Sequence, residues 1–166
     1  MSDLIKGGVD VNFCDNNGAT PLHYAAAAGL TANYTNVIQV LLDNGACVDS
    51  EDSESNTALL FAAAKGATFA IVKLIESGAE MQQCNIYGFT PLHAAAAAGK
   101  AQAVELLLTR GADISASNSH GQTPLFNAAE SGNLSTIRAI SERLSLNQLI
   151  HAYANYQHIS DYDNFQ

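Results

Sequence analysis

Thr20-Pro21-Leu22-His23 returns later in the chain as Thr90-Pro91-Leu92-His93. Weaker copies stand at Thr57-Ala58-Leu59-Leu60 and Thr123-Pro124-Leu125-Phe126. The four threonines follow one another at intervals of 37, 33 and 33 residues. A fixed period of this length means a stack of similar units, each too small to bury its apolar face alone. Within each unit Thr suits a helix N-cap and Pro suits the first helical position, where no donor is needed. Runs of alanine follow: Ala25 to Ala28, Ala62 to Ala64, Ala94 to Ala98, Ala128-Ala129. Alanine is a strong helix former, and its small side chain lets helices approach closely. Gly29, Gly66, Gly99 and Gly132 are expected to end these helices as left-handed C-caps. A second, amphipathic helix follows, as in Val37-Ile38-Val40-Leu41-Leu42 and Val104-Leu106-Leu107-Leu108. Leu106 is read as a core position.

The stretch from Tyr87-Gly88-Phe89-Thr90-Pro91-Leu92-His93 to Gly111-Ala112-Asp113 resembles the ankyrin repeat almost throughout. The likeness covers about residues 4 to 140. It implies an all-α, ankyrin-type helix-turn-helix solenoid with short β-hairpin loops, about four full repeats and terminal caps. The expected division is a partial repeat at 1–14, repeats at 15–51, 52–84, 85–117 and 118–144, a capping helix at 145–159 and a tail at 160–166. The capping helix rests on Leu146, Leu149, Ile150 and Tyr153, which share one helical face. The chain opens inside a repeat, which fits either a half-repeat cap or a piece of a longer protein.

Three departures from the period carry expectations. Four extra residues in the first unit, within Leu30 to Asn36, suggest a longer interhelix loop, since added loop length costs little. Tyr34 in that segment either folds back on the helices or serves as a contact. In the second unit Lys73 stands where its siblings have Val40 and Leu106. This suggests a rotated or irregular helix there.

Composition narrows the function. The net charge of −9 and pI near 4.7 argue against nucleic acid and anionic membrane as partners. No apolar run is long enough to span a membrane, and residues 1–12 lack a signal-peptide core. Cys14, Cys47 and Cys84 are an odd count without metal-ligand spacing. Cys14 and Cys84 fall two units apart, roughly 20 Å at ordinary helix-packing distances, so no disulfide joins them. Reduced thiols and a cytoplasmic location follow. No nucleophile elbow, phosphate-binding loop or zinc-protease signature occurs, so no catalytic residue, metal or cofactor is expected. His151 and His158 lack a carboxylate or thiolate at matching spacing.

The resemblance implies a structural role for His23 and His93, each bonding within its own turn and tying adjacent hairpins. It further implies protein binding through the hairpin tips and the first-helix face. Carried over by position, that surface comprises Asn16 and Asn17, then Glu51, Asp52, Glu54 and Lys65, then Ile86, Tyr87 and Phe89, then His120, Gln122 and Glu130. The apolar triplet at the third tip, beside the acidic Glu51, Asp52 and Glu54, suits a protein or peptide with an apolar anchor and a basic flank. Asn12 is expected to bond the hairpin backbone; the family likeness also makes it a possible acceptor for asparaginyl hydroxylation. The expected function is non-catalytic protein recognition by a monomer. The alternatives are a recruiting or targeting domain of a larger enzyme, a secreted bacterial effector acting in a host cytosol, or an inhibitory scaffold.

Overall fold

A computed structural model describes residues 10–144. Residues 1–9 of the expected partial repeat, the expected capping helix and tail, and His151 and His158 lie outside the described residues, as does the side chain of Tyr34. The described residues form eight helices and no strand: α1 Pro21–Ala28, α2 Ala32–Asp43, α3 Ala58–Lys65, α4 Thr68–Glu76, α5 Pro91–Ala97, α6 Ala101–Thr109, α7 Pro124–Ser131 and α8 Leu134–Ser141. They pair within each unit and stack in two layers between units. First helices α1, α3, α5 and α7 form one layer, and second helices α2, α4, α6 and α8 form the other. This is an all-α ankyrin-type solenoid.

Each first helix starts at its threonine, whose backbone is extended. Thr57 accepts from Leu60 N–H and Thr90 from His93 N–H. The core is leucine and isoleucine set in an alanine matrix. Leu22, Leu59 and Leu92 are buried from the first helices, and Ile38, Ile71, Leu74, Val104, Leu107 and Ile140 from the second.

The loops are stacked turns rather than paired strands. An Asp or Asn stands five residues before each threonine: Asp15, Asp52, Asn85 and Asn118. Each accepts from backbone N–H groups two and four residues on, as Asp52 does from Glu54 and Asn56. One backbone bond then joins each tip to the next: Ser53 N–H to Asn17, Ile86 N–H to Glu54, Ser119 N–H to Tyr87.

Four local expectations are corrected. The insertion in the first unit lengthens a helix instead of a loop. α2 runs 12 residues where α4 and α6 run 9. Added residues amounting to about one turn keep Ile38 and Leu41 facing the core. The helix around Lys73 is regular, because its position is only half-buried where Val40 and Leu106 stand and is fully buried only where it holds the small Ala139. Leu106 is therefore peripheral, and Leu107 is the fully buried residue. Gly29 is not left-handed: its φ is −70°. A Cβ there would lie 2.4 Å from the Cβ of Ala70, so glycine is required by the close approach of α4.

Candidate functional site

The histidines hold the loops on which the expected surface sits. Thr20 N–H donates to His23 Nδ1 at 3.0 Å, so Nδ1 carries a lone pair and Nε2 carries the proton. His23 Nε2–H then donates to the carbonyl of Asn56, in the next loop, at 2.9 Å. His93 repeats the arrangement, accepting from Thr90 N–H and donating to Gln122 at 3.1 Å. Both rings are fully buried. Burial pushes the His93 imidazole below its ordinary value, which favours the neutral form these bonds need.

The second unit has Leu60 at this place, and the tether from loop two to loop three is missing. A side-chain bond replaces it: Asn85 Nδ2–H donates to Asn56 Oδ1 at 2.9 Å. Beside that bond lies a cleft of about 250 Å³, lined by Leu60, Phe61, Ala64, Lys65, Phe89 and Ala94, with the two asparagines at its edge. It exists because Ala94 occupies the place of Tyr24 and Phe61 in the preceding units. The small residue leaves the space that a ring would fill.

The structure brings many of the expected residues to this junction. Ile86 is 58% exposed and Tyr87 46% exposed at the third tip. Phe89 is half-buried, its ring tilted against His93 at 5.7 Å, and it forms a wall of the cleft. Lys65 is exposed on the opposite wall. Glu51 and Glu54 are exposed in loop two; Glu51 accepts from Gln83, and the Glu54 carbonyl accepts from Ile86. Asp52 is occupied in folding its own loop. Asn16 and Asn17 are exposed on the first loop. His120 and Glu130 are exposed in unit four, away from the cleft lining. Gln122 is half-buried, and its side chain accepts from Asn118 and Asn127. Asn12 clasps the second hairpin, donating to Gly45 and accepting from Cys47 N–H, both at 2.9 Å. Its equivalent Gln82 does the same with Gly111 and Asp113, at 3.3 Å.

Leu60, Phe61 and Ala94 were not expected in the surface. Each looks like an ordinary first-helix residue in isolation, and only the comparison of one unit with the next marks them. The described residues contain no group of three or more ligating side chains that could hold a metal ion.

The family model for ankyrin repeats (three copies) matches residues 1–83 and 59–148, which together take in most of the chain. This chain belongs to the ankyrin repeat family. The ankyrin fold is a non-catalytic protein-interaction fold. Among curated relatives, fem-1 homolog A of Bos taurus is 40% identical over 80 residues, 43% of this chain. The human fem-1 homolog A is 39% identical over the same length. Palmitoyltransferase Hip14 of Drosophila melanogaster is 36% identical over 81 residues, 48% of this ankyrin domain. In each case the match spans only 12% of the relative. No helix among the described residues is long and apolar enough to cross a membrane.

Proposed function

We propose that this ankyrin domain recognises a partner protein or peptide on its loop and first-helix face, centred on the junction of units two and three. The observation that carries this reading is the apolar cleft between Phe61 and Ala94, with Ile86 and Tyr87 exposed beside it. Bulky apolar side chains on a solvated loop tip are unfavourable unless something covers them. An apolar side chain of the partner enters the cleft. A basic flank on the partner faces Glu51 and Glu54. Asn16, Asn17, His120, Gln122 and Glu130 extend the surface to either side. The unit boundaries set out above belong to the same reading, and so does a monomeric, non-catalytic state. Three exposed thiols, Cys14, Cys47 and Cys84, are consistent with a reducing, cytoplasmic compartment.

Affinity capture from native lysate, quantified by mass spectrometry, tests the placement. The parent is compared with Ile86→Ala/Tyr87→Ala, which leaves the buried core untouched. A protein held by the parent and lost by the folded variant supports the junction. Equal capture by both removes it.

A second reading is that the domain recruits substrates for, or targets, a larger enzyme. It is favoured by the small share of fem-1 homolog A and palmitoyltransferase Hip14 that the matched segment occupies. Immunoblotting of native extract discriminates: a species much larger than 17.4 kDa supports this role, and one at that mass counts against it.

A further inference from the structure

Because the units share one template, each position has siblings that show what stacking requires. On the outer face of α4, the second unit departs from its siblings three times. Phe69 stands where the others have Asn36, Gln102 and Ser135. Val72 stands where they have Gln39, Glu105 and Arg138. Lys73 stands where they have Val40, Leu106 and Ala139. Two polar positions have become apolar, and one apolar position has become cationic. All three side chains line a single cleft of about 620 Å³, bounded by Glu76 at the end of α4 and by Gln102 and Leu106 from α6. Phe69 is 51% exposed at its rim. Siblings stack without these residues, so the fold does not explain them.

Lys73 also lacks an internal partner. It is half-buried in this apolar cleft, with no ion pair to a carboxylate among the described residues. A partly desolvated ammonium attracts a carboxylate more strongly than a fully solvated one. We propose that this cleft is a second protein-docking surface, on the second-helix layer away from the loops. Its occupant is an amphipathic helix of a partner that presents apolar side chains beside an Asp or Glu. The apolar side chains cover Phe69, Val72 and Leu106, and the carboxylate meets Lys73, the helix-in-groove mode of recognition. The charge preference is opposite to that of the loop face, where Glu51 and Glu54 favour a cation. This surface stands independently of the one above. A second copy of the chain is a poorer occupant, because a net charge of −9 on each copy opposes pairing.

The test titrates the isotope-labelled chain, followed by amide NMR, with a short synthetic amphipathic helix whose apolar stripe is flanked by Glu. Its counterpart with every Glu changed to Lys is titrated in parallel. The expected result is shift changes confined to α4 and α6, with the Glu peptide bound at least ~10-fold more tightly, about 1.4 kcal/mol. The variant F69Q/V72E/K73L installs the third unit's own residues and is expected to stay folded and lose that binding. Should it lose helicity, K73E alone carries the test and reverses the preference between the peptides. Absence of binding, equal affinity for both peptides, or shifts on the loop face instead would overturn the proposal. Sedimentation velocity covers the remaining occupant. A dimer abolished by F69Q/V72E/K73L would assign the cleft to a second copy and likewise overturn it.

Discussion

Replacing Gly29 with alanine places a methyl group where α4 leaves no room for one. The new Cβ would sit 2.4 Å from the Cβ of Ala70, well inside van der Waals contact, and each atom is bonded directly to the backbone, one at the end of α1 and one within α4. Neither can turn away, so a helix must shift. Overpacking of this kind costs ~1–3 kcal/mol. Because φ at Gly29 is −70°, alanine suffers no backbone strain there and gains ~0.4–1 kcal/mol from a stiffer unfolded chain. The net expectation is a loss of roughly 0.5–2 kcal/mol. Ala70→Gly alone should cost about 2 kcal/mol, from helix propensity and a buried methyl group. In Gly29→Ala/Ala70→Gly the clash is gone, and the double variant should be more stable than the sum of the two losses by at least ~1 kcal/mol. Urea unfolding followed by circular dichroism measures all four proteins, since the chain has no tryptophan to report. Additivity within ~0.5 kcal/mol would refute the reasoning, because it would mean that the two residues are not in contact.

Leu107→Ala should cost ~2–5 kcal/mol as a core cavity, whereas Leu106→Ala should cost clearly less, because Leu106 is half-buried; equal losses in thermal unfolding would contradict the register. His93 contributes pH dependence of a defined sign. Its folded pKa lies below the ordinary 6.5, so the unfolded chain takes up the proton first, and this contribution is complete above about pH 6.5 and lost as pH falls toward the depressed value. His93→Leu, which copies the second unit's Leu60, should reduce the fall in urea midpoint between neutral and mildly acidic pH; an unchanged fall would exclude His93 as its source. Tyr24 donates to Asp15 Oδ2 at 2.6 Å and holds that carboxyl below its usual value. Tyr24→Phe should raise the Asp15 pKa in an NMR titration, and no rise would show that the bond is not populated.

Period and helix order were legible in the sequence because each depends on neighbours along the chain. A threonine followed by proline favours a helix start through local geometry, and an apolar stripe of helical spacing needs a partner whatever that partner is. The structural role of His23 and His93 was legible only through the family likeness, since the carbonyl each one reaches belongs to the next unit. The task of the Asp and Asn residues five before each threonine, which is to fold each loop, was not read from the sequence. Tertiary structure decided the rest. Whether Gly29 serves backbone freedom or close packing depends on how near α4 lies, which no local signal reports. The choice of Leu107 over Leu106 as the buried residue depends on a rotation of one position about the helix axis, with both candidates equally apolar. The two clefts arise between units: one where Ala94 follows Phe61 across the stack, the other where Phe69, Val72 and Lys73 meet Leu106. A helix can be read from residues a few positions apart, but a binding surface needs residues about 33 apart to be brought side by side.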